Sequence, residues 1–202
     1  MGIRDEFVTV LRRNDATTMS FVINGTQFNG ADFRRIAEAV EGRMTPNGRL
    51  YGFHVIVNPG LSNHTATRDW QGNILNPGID AEYRSDTNTF TFSSNSLGNN
   101  SAKALAIHEA VHAIFDMNRT SLWAIDDEAA AYTAQCIFLL RQGIAPPSGM
   151  SPTFTAAFAA ASSIQLGNGL TQALLQQLRA ALQNNPNYRH VRNAGSAYLR
   201  NG

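Results

Sequence analysis

One cysteine, Cys136, and one lysine, Lys103, stand in a chain of 202 residues. A single thiol excludes an intrachain disulfide framework. It lies in the apolar run Cys136-Ile137-Phe138-Leu139-Leu140, where a thiol behaves as a small hydrophobe rather than as a nucleophile or metal ligand. With lysine nearly absent, the 16 basic residues are almost all arginine, and they balance 15 acidic ones to a formal net charge of +1. Nothing resembles the basic stripe that nucleic acid requires, and Arg189, Arg192 and Arg200 near the end read as a solvated tail. No nucleic-acid partner is expected. The chain also lacks an apolar run of about 18 residues, so no membrane span or membrane partner is expected. Met1 to Glu6 has no apolar stretch like that of a signal peptide. The expected location is cytoplasmic, or outside the cell by a route that needs no such signal.

What is present suffices for a core: 43% of residues are hydrophobic, 15% charged and only 7 are proline. A chain this long buries roughly 70% of its unfolded surface without a covalent staple, so one domain over 1–202 is expected, sheet-rich over 1–98 and helical over 99–202. Phe7–Leu11 and Met19–Ile23 are rich in β-branched and aromatic residues and read as strands. Phe33, Ile36, Ala37 and Val40 repeat at helical spacing and predict a helix over about Gly30–Gly42. Tyr51–Val57 reads as a strand, Leu61–Ser85 as a long polar loop, and Thr89–Phe92 as an exposed or edge strand able to pair with an extended peptide. Helices follow over about Ala102–Asp116 with Ser101 as cap, Leu122–Leu140, Pro152–Ser163 and Thr171–Gln183. The fold class is therefore α+β, a small, mainly antiparallel sheet packed on a mainly helical C-terminal half.

The chemistry is concentrated in His108-Glu109-Ala110-Val111-His112. Residues four apart on a helix share a face, so His108 and His112 can aim two imidazole nitrogens at one cation. Glu109 is turned by about 100° from His108, which places its carboxylate beside the ion, within reach of a water bound there. Zinc lowers the pKa of such a water towards ~7, and Glu109 can take its proton as the oxygen attacks a carbonyl. With 5 histidines in the chain and 6 glutamates on its rows, chance produces this pattern with odds of about 1 in 300. The flanks Ala104–Ile107 and Ala113–Phe115 are apolar, and burying two imidazoles and a carboxylate among them costs free energy unless they are paired or bound to metal.

A third ligand is needed. The helices around His112 and Asp126-Asp127-Glu128 are joined by Met117–Ser121, the length of a tight helical hairpin. With the turn near Thr120, His112 faces Glu128 and His108 faces Tyr132. Glu128 is the leading third ligand, Asp127 the alternative, and Asp126 a helix N-terminal carboxylate. Two imidazoles and a carboxylate suit Zn2+ best among common ions.

These residues resemble the gluzincin pattern of thermolysin-like metallopeptidases over about residues 101–140. The resemblance implies zinc bound by His108, His112 and Glu128, Glu109 as general base, and a peptide or protein substrate. One difference is that the family carries an Asp one turn after the Glu ligand to support the first His, whereas this chain has Tyr132. Tyr132 could bond near His108, donate to the oxyanion of the tetrahedral intermediate, or serve as a core aromatic. His190, in the cluster Tyr188-Arg189-His190, could fold back as an oxyanion donor. Asp116, one turn after His112, could orient an imidazole, cap the helix end or meet Arg119. His54 reads as a sheet histidine and His64 as a solvated loop residue. Two other functions share these features: a zinc protein whose metal only ties two helices together, and a metallohydrolase acting on a non-protein amide.

Overall fold

The computed structural model describes residues 2–42, 52–61, 67–68, 74–76, 80–146, 148–186 and 188. The chain opens with a helix, α1 (Ile3–Leu11), where a strand over Phe7–Leu11 was expected. The β-branched run Val8-Thr9-Val10 suggests a strand locally, but Ile3, Phe7, Val8, Val10 and Leu11 are the buried positions. That is a helical period, and tertiary burial overrides local propensity. A short α2 (Asn14–Thr17) leads into β1 (Ser20–Ile23) and β2 (Thr26–Asn29), an antiparallel hairpin. Its two-residue turn, Asn24-Gly25, has φ of 47° and 79°, the twist that strands joined so tightly demand.

After α3 (Asp32–Val40) come β3 (His54–Val57), β4 (Thr67–Arg68), β5 (Ile74–Asn76), β6 (Ala81–Arg84) and β7 (Thr89–Phe92). The segment expected as a long loop thus holds three short strands, too brief to show a readable period. β4 and β5 pair antiparallel with each other. The other three form a sheet in the order β3-β7-β6, in which β7 runs parallel to β3 and antiparallel to β6. β7 is therefore central, not an edge. Phe90, Thr91 and Phe92 are all buried, and the expectation that this strand receives a peptide is overturned because both its sides are already paired.

The helical half consists of α4 (Asn100–Met117), α5 (Ala124–Arg141), α6 (Pro152–Gln165) and α7 (Gln172–Asn184). The cap of α4 is Asn99, whose Oδ1 accepts the Ala102 N–H at 2.8 Å, rather than Ser101. Ser151 and Thr171 cap α6 and α7. The core runs continuously between the halves. Phe7 stacks against Phe90 and Phe92 at 4.6 and 5.5 Å, fixing α1 on the sheet, and Phe28 meets Phe115 at 6.0 Å, fixing the hairpin on α4. The fold is α+β as expected. Among the described residues, no helix is long and apolar enough to cross a membrane.

Candidate metal centre

Two features bring α4 and α5 together as a hairpin. Ala106, Ala110 and Ala113 on α4, and Ala129, Ala130, Ala131 and Ala134 on α5, are fully buried, and such small side chains let helix backbones approach closely. Between the helices, Arg119 takes φ of 52° and the Thr120 N–H returns to the Phe115 carbonyl at 2.8 Å, which ends α4 in a tight left-handed turn. The start of α5 is then clamped. Asp126 is fully buried and accepts both Arg179 Nε at 2.6 Å and Arg179 Nη2 at 2.8 Å, from α7. It also accepts Asn24 Nδ2 at 2.9 Å, from the hairpin tip. Asp126 is thus a structural anchor that fixes the two acids following it.

Those two acids take different roles. Glu128 Oε2 lies 3.5 Å from His108 Nε2, and Glu128 Oε1 lies 3.8 Å from His112 Nε2. One ligand atom from each of His108, His112 and Glu128 falls within 4.8 Å of the others. Donors on a tetrahedral zinc at ~2.0–2.1 Å stand roughly 3.3 Å apart, so modest closure around an ion meets the requirement. Glu128 Oε2 is buried and has no hydrogen-bond partner among the described residues, an orphan that a cation would satisfy. Asp127 instead faces the other side of the ring, its Oδ2 2.9 Å from His112 Nδ1. His108 Nδ1 lies 3.1 Å from Gln135 Oε1. Each imidazole is therefore held by its outer nitrogen, with its inner nitrogen turned to the shared point, as metal-binding histidines are. Gln135 stands two turns beyond Glu128 on the same face of α5.

Glu109 stands outside this set. Its Oε2 accepts the backbone N–H of Tyr83, on β6, at 2.8 Å. Burial raises its pKa above the usual carboxylate range, and the neighbouring imidazoles only partly offset this. Burial would also raise Glu128, but the charges of His112 and His108 hold it below its ordinary value. For His112 burial acts downward, yet Asp127 and Glu128 prevail and lift it to about 9. His112 thus holds a proton at neutral pH that a cation would displace.

The centre opens on a cavity of about 790 Å³ lined by His108, Glu109, His112, Glu128, Tyr132 and Tyr188 among others. The Tyr132 ring meets the His108 ring edge-on at 4.8 Å, and the Tyr132 and Tyr188 hydroxyls are 2.8 Å apart. Burial raises both phenol pKa values, so both remain donors. Tyr188 thus reaches the cavity from the late cluster, while His190, Arg189 and His64 lie outside the described residues. Asp116 does not reach the imidazoles: its Oδ2 accepts the Tyr83 hydroxyl at 2.6 Å. His54 is exposed on β3. Burial raises the Cys136 pKa, leaving an inert thiol. Sequence reasoning missed Gln135 and Tyr83; a polar residue inside the apolar run Ala134–Ile137 was the available signal for Gln135, and nothing local marked Tyr83. No protein-family model, curated protein or solved structure matches the chain.

Proposed function

We propose that this protein is a zinc-dependent metallopeptidase of gluzincin type, with Zn2+ held by His108, His112 and Glu128 and with Glu109 as general base. The observation that carries the reading is a division of labour within one cavity. Three donor groups converge with their inner atoms turned together, and a fourth carboxylate, Glu109, lines the same cavity while bonded elsewhere. A metal that merely tied helices together would have no use for that carboxylate or for an open cavity. Zinc bound there supplies Lewis acidity, polarising a carbonyl and making water acidic near neutral pH.

The protein's own groups do the rest. Glu109 receives the proton of the attacking water on its carboxylate and passes it to the departing amine nitrogen. Burial raises its pKa, which makes it a stronger base than an ordinary carboxylate and so favours acceptance of that proton. Tyr132 and Tyr188 offer neutral hydroxyls to the oxygen that becomes negative when the carbonyl is attacked. Gln135 and Asp127 keep the two imidazoles oriented throughout. The test is a Glu109→Gln variant, expected to keep its metal while losing about 10²–10⁴-fold in turnover on a peptide library. Full activity in that variant contradicts the proposal.

A further inference from the structure

We infer that Tyr83 is a positioning residue for Glu109, a strut that lashes β6 to α4 at two points and presets the base before substrate arrives; the inference rests on the reading of Glu109 given above. The backbone N–H of Tyr83 points away from β7 and donates to Glu109 Oε2 at 2.8 Å. Its phenol donates to Asp116 Oδ2 at 2.6 Å. Glu109 and Asp116 are separated by two turns of one helix, roughly 10 Å at ~1.5 Å per residue. One tyrosine therefore spans the stretch of α4 that carries His112, from its own main chain to its hydroxyl.

The strut is rigid at its base, because the Tyr83 ring packs on Phe90 and Phe53 at 4.9 and 6.0 Å. Asp116 is buried, and its other oxygen, Oδ1, has no hydrogen-bond partner among the described residues. The phenol is therefore the contact that keeps a buried carboxylate satisfied. If β6 slid along α4, both bonds would break together. Holding the base in a fixed direction this way lowers the reorganisation needed when it takes the proton of the attacking water.

The test combines hydrogen exchange of the Tyr83 amide in the full, metal-free chain with steady-state kinetics of the zinc-loaded one. The wild-type amide is expected to be protected. Glu109→Ala should speed its exchange by about fivefold or more, the size expected for one hydrogen bond. Tyr83→Phe and Asp116→Ala should speed it comparably and lower kcat about tenfold, with KM within about twofold and zinc content unchanged. Asp116→Asn keeps an acceptor oxygen and should lose much less than Asp116→Ala. An amide that exchanges as fast in wild type as in Glu109→Ala overturns the inference. So does a Tyr83→Phe enzyme with unaltered kcat, or one that changes only in KM. If Tyr83→Phe does not fold, the Asp116→Asn and Asp116→Ala pair decides. Exchange is read without catalysis, so a wild-type chain that cleaves no peptide defeats the peptidase reading while leaving the strut to be judged by its amide.

Discussion

The His112–Asp127 contact makes zinc affinity depend on pH in a way that can be worked out in advance. The imidazole pKa stands at about 9 in the metal-free protein, against ~6.5 for an unperturbed histidine. Below that value His112 carries a proton that the metal must displace. At pH 7 the displacement costs about 2.7 kcal/mol, from two pH units at ~1.36 kcal/mol each. Zinc affinity should therefore rise about tenfold per pH unit between 7 and 9, then level off. In the metal-free protein the sign reverses: a folded pKa raised above the unfolded one stabilises the fold fully below pH ~6.5. That contribution is lost as pH climbs through about 9. Asp127→Asn removes the largest of the charges that raise His112, so the levelling point should move toward the ordinary imidazole value. Competition against a chelator of known affinity, repeated across pH in both proteins, reads this directly. A wild-type affinity flat across this range, or a levelling point that Asp127→Asn does not move, refutes the reasoning.

Gln135→Leu leaves His108 Nδ1 without its partner and should weaken zinc binding about 10–100-fold, measured in the same titration. Arg179→Met strips the fully buried Asp126 of its bidentate partner and should cost about 3–5 kcal/mol, seen as a fall in chemical-denaturation stability. Tyr132→Phe and Tyr188→Phe should each lower kcat, by up to about 10²–10³-fold if that hydroxyl is the main oxyanion donor. Because the two hydroxyls share one hydrogen bond, the double variant should lose less than the product of the single losses.

What could be read from the sequence was what is local. His108 and His112 are one helical turn apart, and the hairpin symmetry that pairs His112 with Glu128 and His108 with Tyr132 needs only the connecting length. Both pairings recur in the structure, with Glu128 set between the two rings. Asp127, weighed as a ligand, holds the outer face of His112 instead; one residue of rotation on a helix decides the difference. Gln135 needed the same face-counting carried one turn further. The misreadings were non-local. The run Val8-Thr9-Val10 favours a strand until the packing of α1 on the sheet is known. The alternation Thr89-Phe90-Thr91-Phe92 identifies a strand but not its neighbours, so the central place of β7 was not legible. Tyr83 reaches Glu109 from another layer of the fold, and no spacing in the sequence announces such a contact.

Metal content is the most direct test. Purified wild-type protein, loaded with zinc and freed of excess, should carry one ion per chain. Its X-ray absorption should fit two imidazole nitrogens at ~2.0–2.1 Å and a carboxylate oxygen. His112→Ala and Glu128→Ala should each lose the ion. A wild-type chain that retains no zinc, or variants that bind it as tightly as wild type, would contradict a centre built between α4 and α5.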